Sequence, residues 1–506
     1  MPNFHIFMEI KGLINILGEH HEGGCHGHHG GVSLASFRWC EYGPTVRMIV
    51  VLMVAGVMKI LFHHLPGWIT MLSEQQKTSA CSPLIRCLII ILKAIASLPE
   101  SCVLILFGAI VGGILLLIYP EQTPDDTLFT PHLFFNVLLP PIIMDSAFAI
   151  YNKDFGSNFP TILIFAVAGT IFNIFTIGGG LILVDLAGGF DIEPSLSNNS
   201  LSVLTFSSLI SAVDPVAVLA IFQEIGVKVS LYFLVFGESL LNDGVTIVVY
   251  NTMVGLSSVT PAAKDYIIAF FSFFTVVFGG FLIGVTMGFI SSFIVKFTRH
   301  CRELEPFTII VSTYLAFVFA ELFHWSGIIG ILGCGIVQKR YAFRNISKKS
   351  FWTIKYGVKT MATFADCVIF IFLGLVSVDN IKIWDSFDFK FVAMTCFLCT
   401  LFRFIGVLFF SFLVNKSSHL DPISLKEQLI MAYGGLRGGV GFSLAQILSR
   451  DNPFKDLFLT TAIFMVYFTT FLQGGTIKWL VSFLSIDRAE EKVSAYNQLK
   501  YFINCL

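Results

Sequence analysis

Ser211-Ala212-Val213-Asp214-Pro215-Val216 interrupts a segment, 201–223, that is otherwise apolar enough to cross a bilayer. Proline lacks the backbone donor a helix needs here and crowds the preceding turn, so Pro215 breaks the helix at membrane depth. The carbonyl groups released beside Asp214 can then coordinate a cation. A second interruption lies far downstream, where 427–448 contains Ala432-Tyr433-Gly434-Gly435-Leu436-Arg437-Gly438-Gly439-Val440-Gly441. That glycine density predicts an unwound or closely packed helix. The two segments are seven spans apart along the chain, so they run in opposite directions. Two interrupted helices of opposite sense, one in each half, point to an inverted-repeat transporter with its site at the midplane. The plainer reading is a pair of kinks used only for packing, but such kinks rarely coincide with a buried Asp and Arg.

Composition agrees with a chain that is mostly bilayer. Apolar residues make up 55% and charged residues 13% of the 506, where soluble domains carry about 25% charged residues. Hydropathy places spans at 46–63, 101–119, 131–149, 161–187, 201–223, 230–251, 267–296, 308–323, 327–338, 360–378, 391–414, 427–448 and 457–481. The expectation is thus an all-α polytopic membrane protein of about thirteen transmembrane helices. The span at 327–338 is short and rests on the charge pattern. With the C-terminus in the cytosol, the inside loops and C-terminal tail, with Lys296 at the edge of its span, hold twenty Lys and Arg against five in the outside loops, as the positive-inside rule requires. One span more or fewer would scramble this bias.

The transmembrane domain is expected over 46–484, between an N-terminus at 1–45 and a short cytosolic tail at 485–506. His20, His21, His26, His28 and His29 stand among glycines in the first of these, a composition that can bind metal or simply form a disordered polar tail. Residues 70–98 are ambiguous, an insertion or an interfacial amphipathic helix, because a crossing there would invert every later loop. Eleven cysteines, scattered through apolar runs, read as small packing residues. A net charge of −1 gives no field that would recruit nucleic acid.

Ionisable residues at membrane depth are costly, so each one points to function. Here they are Asp145, Asp214, Glu238, Asp243, Glu321, Asp366, Arg403 and Arg437. In Phe236-Gly237-Glu238-Ser239-Leu240-Leu241-Asn242-Asp243-Gly244, Glu238 and Asn242 share a helical face, whereas Asp243 is rotated about 140° from Glu238 at roughly 100° per residue. The two acids therefore face different partners. Asp243 is expected to face the cavity as the group that holds either a proton or a sodium ion, with Glu238 paired to a cationic residue. Sodium is a hard cation, so its cage should come from oxygens of Asp243, Asp214 and nearby carbonyls or hydroxyls, with Asn242 adding an uncharged one. With one exchangeable carboxylate the simplest stoichiometry is one sodium for one proton. Arg403, in Leu401-Phe402-Arg403-Phe404-Ile405, needs a carboxylate from another span, and Glu238 is the candidate. Arg437 needs a counter-charge from Asp145, Asp366 or Asp214. Snorkelling near a span end is the alternative for either arginine.

In order and spelling, these motifs resemble the eukaryotic sodium/proton exchangers of the cation/proton antiporter superfamily. The resemblance runs from about Met48 to Ile486. It includes Phe134-Phe135-Asn136-Val137-Leu138-Leu139-Pro140-Pro141-Ile142-Ile143-Met144-Asp145, the Asp214-Pro215 segment, Phe236–Asp243, Ala320-Glu321-Leu322-Phe323-His324-Trp325-Ser326-Gly327 and Gly434-Gly435-Leu436-Arg437-Gly438. It implies that Asp243 is the ion-binding residue, that the Asn242–Asp243 pair marks electroneutral exchange, and that a helical core moves against a scaffold which dimerises. It implies no cofactor, alternating access, and roles in intracellular pH and sodium or volume homeostasis. The spelling at Val213 and Ala217 leans toward plasma-membrane rather than endosomal relatives.

Two departures stand out. Asp366, in Phe364-Ala365-Asp366-Cys367-Val368, stands where the family is expected to carry Glu, which shortens the reach of that acid. The sequence continues only about 25 residues past the last span, whereas plasma-membrane members usually carry a long regulatory tail. Arg488–Leu506 is expected to hold at most the beginning of the helix on which calcineurin-like B proteins dock. Other classes fit less well. A potassium or lithium antiporter is the nearest alternative. A channel should repeat uniform loops around a symmetric filter, and an enzyme should show a nucleophile with its base or a metal cluster; neither HExxH nor a paired-Asp GxGD motif is present.

Overall fold

A computed structural model of the chain describes Gly56 and residues 99–118, 133–150, 153–190, 192, 194–214, 216–257, 262–298, 301–379, 381–417, 422–449 and 452–484. The expected spans and segments at 1–45, 46–63 (Gly56 apart), 70–98 and 485–506, with the docking helix assigned to the last, lie outside these residues. Among the described residues the regular structure is helical, with no strand. Hydrocarbon supplies no partner for backbone N–H and C=O groups, so long apolar stretches satisfy them internally as helices.

The elements follow the hydropathy closely. Helix α1 covers Glu100–Ile118, and a π-helical turn at Phe134–Leu138 leads into α2, Leu139–Ala149. Helix α3, Lys153–Leu163, continues through a π-helical turn at Ile164–Gly169 into α4, Thr170–Leu186. The segment 201–223 becomes two half-helices, α5 at Ser200–Ile210 and α6 at Val216–Ile225. Next come α7 (Val229–Ser257), α8 (Ala263–Phe297), α9 (Leu304–Leu322), α10 (Gly327–Arg340), the short α11 (Ala342–Asn345), α12 (Lys348–Asp379) and α13 (Phe389–Ser417). The glycine-rich segment 427–448 is again two half-helices, α14 at Leu425–Tyr433 and α15 at Gly439–Ile447. Helix α16, Lys455–Tyr467, reaches α17, Gly475–Leu484, through a third π-helical turn at Phe468–Gly474. Seven helical runs among the described residues are long and apolar enough to cross a membrane: Phe155–Leu186, α7, α8, α9, Lys348–Val378, Phe389–Lys416 and Lys455–Leu484.

The span expected at 327–338 is real as an element but unlike the others. Helix α10 has 14 residues, begins on the Ser326 hydroxyl that accepts from Ile329 N–H, and is buried over most of its length. It is shorter than a lipid-facing crossing needs because its neighbours, α8 and α9, surround it. By contrast, α8 buries little beyond Gly280, Gly284, Gly288, Ser291, Ser292 and Val295 and turns Phe270, Phe271, Phe278 and Phe293 outward, as a lipid-facing helix should.

Glycine seams set the helix spacing. In lipid no hydrophobic effect draws helices together, so close backbone approach supplies the packing. A Cβ at Gly284 would overlap the Gly330 carbonyl of α10, and one at Gly280 would stand 2.5 Å from the Ser326 oxygen. Helices α1 and α12 interlock reciprocally: a Cβ at Gly108 would overlap the Ile371 carbonyl, and one at Gly374 the Ile105 carbonyl. Buried Gln338 then pins α10 in register, donating to Ser291 at 3.0 Å and to the Ile309 carbonyl at 3.2 Å, and accepting from Thr313 at 2.8 Å.

Gly284→Val and Gly374→Val are each expected to lower stability by ~1–3 kcal/mol, the usual cost of overpacking, seen as an earlier thermal melt of the detergent-purified protein. Gly179→Ala, where a Cβ meets nothing within 4 Å, should leave the melt unchanged.

Candidate functional site

Both interruptions arise where the sequence forbids helix, and they meet. The N–H of Asp214 donates to the Leu436 carbonyl at 2.8 Å, so each unwound strand satisfies the other. Glycine permits this approach. A Cβ at Gly438 would overlap the Asp214 side chain, one at Gly439 would overlap Ile369 of α12, and one at Gly441 would stand 2.7 Å from the Leu209 carbonyl of α5. Gly438 itself is extended, with φ −136° and ψ −163°, and α15 starts at the next residue.

Four helix ends converge here, two carrying orphan carbonyls and two carrying orphan N–H groups. Arg437, 5% exposed, donates from Nη1 to the Ala212 carbonyl at 3.3 Å, just past the C-terminal end of α5. Arg403, 7% exposed, donates from Nη2 to the Met431 carbonyl at 3.2 Å, in the last turn of α14. Each arginine therefore sits at the negative end of a broken helix, while the Asp214 side chain lies against Gly438 at the positive end of α15. The room for Arg403 comes from Gly435, where a Cβ would stand 2.9 Å from Nε. Gly434 closes α14 by donating to the Ile430 carbonyl at 2.7 Å.

The buried Glu238 carboxylate forms an ion pair with Arg403 through Oε1 and Nη1. Its charge also reaches Arg437. None of the carboxylates proposed for Arg437 pairs with it among the described residues, which corrects the sequence expectation: the Ala212 carbonyl answers Arg437, Asp145 lies within reach of Lys355 and Lys359, and Asp366 is half-buried on α12 with a partner of its own. A backbone carbonyl freed by a broken helix carries no signature in sequence.

Asp243 is on the other side of α7. It is half-buried, close enough to Asp214 for their charges to interact, and in no ion pair with a basic side chain among the described residues. The next residue, Gly244, faces Ile328 and Ile329 at the start of α10. Asn242 turns away from it: its amide donates to Thr170 at 2.6 Å and its oxygen accepts from Thr246 at 3.3 Å. Thr170 in turn donates to the Ala166 carbonyl at 2.7 Å in the π-helical turn before α4. Asn242 thus fastens α7 to α4. Glu321 is also outside the crossing, where it accepts from Gly327 N–H at 2.9 Å at the start of α10. Thr170 and Thr469, whose hydroxyl accepts from Arg437 N–H at 3.0 Å, were not legible in the sequence, because a threonine in an apolar span carries no charge to mark it.

Removing Arg403 alone should cost ~3–5 kcal/mol because it strands a buried carboxylate. The double variant Arg403→Gln/Glu238→Gln should recover most of that loss, and thermal melting of the two purified variants checks it. Gly438→Ala should damage transport more than stability, since the methyl group displaces Asp214.

The family model described as the transmembrane sodium/hydrogen exchanger matches residues 81–483. The Na(+)/H(+) exchanger beta of Oncorhynchus mykiss is 41% identical over 409 residues, covering 80% of this chain and 52% of that protein. Human sodium/hydrogen exchanger 3 is 37% identical over 482 residues, covering 94% and 53%. Na(+)/H(+) exchanger protein 7 of Caenorhabditis elegans is 36% identical over 475 residues, covering 93% and 57%. The chain thus spans about half the length of the curated relatives it matches. In architecture it is similar to the sodium proton antiporter MjNhaP1 from Methanocaldococcus jannaschii at pH 8, with a TM-score of 0.57 over 86% of this chain and 98% of that one. At 16% identity that likeness is one of fold.

Proposed function

The chain belongs to the sodium/hydrogen exchanger family, and from that premise we propose that it is a secondary antiporter exchanging sodium for protons by alternating access. The observation that carries the reading is Asp243, a half-buried carboxyl group beside a second carboxylate, Asp214, with no basic partner among the described residues. Two neighbouring negative charges at membrane depth repel, and a single cation relieves them. A proton on Asp243 does so, and so does a sodium ion held between the two carboxylates and nearby oxygens. The two occupants exclude one another, which is what an exchanger needs.

The surrounding charges support the same reading because they are already spoken for. Arg403 and Glu238 neutralise each other, and Arg437 faces backbone. Asp243, with no basic partner among the described residues, is then the group whose charge changes with its occupant, so each cycle would carry one sodium against one proton, an electroneutral 1:1 exchange. The finer architecture belongs to this proposal as well: about thirteen spans arranged as an inverted repeat, a homodimer, a cytosolic C-terminus and a plasma-membrane location, where such exchange would serve intracellular pH and sodium or volume homeostasis.

Asp243→Asn, which keeps the volume and removes the charge, should abolish sodium-dependent proton flux in proteoliposomes while the melt stays near that of wild type. Undiminished exchange by this variant overturns the mechanism. In the same vesicles an imposed potential of about 100 mV, worth ~2.3 kcal/mol for each net charge moved, should leave the sodium and proton gradients at which flux vanishes unchanged; a shift means unequal stoichiometry.

A further inference from the structure

Two buried cysteines of the membrane domain behave as the packing residues their apolar surroundings suggest. Cys102 donates to the Thr470 carbonyl at 3.3 Å and Cys334 to the Thr313 hydroxyl at 3.9 Å, each a single thiol with an oxygen partner. Cys396 and Cys399 are placed differently. They stand three residues apart on α13, in Cys396-Phe397-Leu398-Cys399, a spacing that puts both on one helical face, and they are close enough to act on one another electrostatically. From α16 the partner is a third sulfur: Cys396 donates from Sγ to Sδ of Met465 at 3.0 Å.

Three sulfurs from two helices thus meet inside the protein. Met465 is 1% and Cys399 2% exposed, while Cys396 is half-buried, so the cluster is closed by protein on its inner side and open through Cys396. What sulfur adds to aliphatic packing is a set of soft, polarisable donors. Thiolate and thioether ligands select Cu(I) over harder ions. Zn(II) wants four ligands drawn from Cys, His and carboxylate, and among the described residues no three side chains of those types gather as a metal site.

The charge around the cluster also suits a monovalent soft ion. Thiols bind metal as thiolates, and two thiolates around one Cu(I) sum to a single negative charge. Arg437 lies near enough to Cys399 for charge to act between them. Its guanidinium is positive, donates to the Ala212 carbonyl, and is in no ion pair among the described residues. Cys399 is four residues before Arg403 on α13, so the sulfurs sit about one turn from the fixed Arg403–Glu238 pair without belonging to it.

We infer that Cys396, Cys399 and Met465 form a binding site for one Cu(I) ion. Binding is a ligand exchange without change of oxidation state: each thiol gives up its proton to solvent, two Cu–thiolate bonds form, and the Met465 thioether completes the set. The resulting negative charge faces Arg437.

The detergent-purified, reduced full chain, titrated with Cu(I) held by the chelator bicinchoninate, tests this. Wild type should take up one more equivalent of Cu(I) per chain than Cys396→Ser/Cys399→Ser does. Counting by difference cancels the cysteines and histidines that both proteins share. Met465→Leu keeps an apolar side chain of similar size and should hold that equivalent at least about 10–100-fold more weakly, the loss that follows when even an outer partner of a metal site is removed. Cu(I) should also protect Cys396 from N-ethylmaleimide, read by peptide mass spectrometry, while exposed Cys301 stays reactive, and Zn(II) at the same concentration should give no protection. Where the double variant melts early, the Met465→Leu titration and the protection of Cys396 in wild type decide. Equal uptake by wild type and a folded double variant, unchanged affinity in Met465→Leu, or a Cys396 that Cu(I) leaves unprotected overturns the assignment.

Discussion

Everything at the centre of this protein follows from breaking two helices where there is no water to repair them. Each break exposes backbone groups that would cost several kcal/mol apiece in hydrocarbon, and the fold answers by crossing the breaks. Asp214 N–H meets the Leu436 carbonyl, Arg437 takes the Ala212 carbonyl, and Arg403 takes that of Met431. The glycines at 435, 438, 439 and 441 are the condition for this arrangement, because a single Cβ at any of them would stand against a group the crossing uses or packs on.

That constraint sorts the buried charges into two kinds. Arginines at negative helix ends and Glu238 between them are fixed, since moving any one strands the others in a low-dielectric interior. Asp214 and Asp243 are different. Asp214 is held by its backbone and lies against Gly438, and its charge acts on Asp243, which pairs with no basic side chain among the described residues. The proposed exchange of cations needs this separation. If Arg403 or Arg437 lay beside Asp243, the carboxylate would be held permanently as an ion pair, and neither proton nor sodium could compete.

Much of this was legible in the sequence. Pro215 and the run Gly434–Gly441 mark both breaks because they act on the backbone locally, and the rotation of about 140° along α7 separates the two faces that the structure uses: Glu238 and Asn242 toward α13 and α4, Asp243 toward Asp214. The partner of Arg403 was deducible because a guanidinium among phenylalanines has few carboxylates to choose from. What sequence did not reveal was backbone chemistry. The Ala212 carbonyl became the partner of Arg437 only because α5 ends two residues earlier. Asn242 looked like a cation ligand by adjacency to Asp243, but adjacent helical residues point in different directions, and Thr170 holds it on the far side. The shortness of α10 has a cause that hydropathy does not see: the method assumes lipid around every span, and α10 is buried among other helices.

Gly244, the residue after Asp243 on α7, packs against Ile328 and Ile329, the opening turn of α10. An uncapped helix N-terminus there would present orphan N–H groups and a positive field, both of which favour an ionised carboxylate nearby. Helix α10 is capped from within its own approach instead, by Ser326 accepting from Ile329 N–H and by Glu321 accepting from Gly327 N–H. Glu321 reaches back across a turn that His324 enters with φ 54°, a conformation few non-glycine residues adopt. The strained turn thus places an acid at the start of α10, where it answers one of the orphan N–H groups of that helix end.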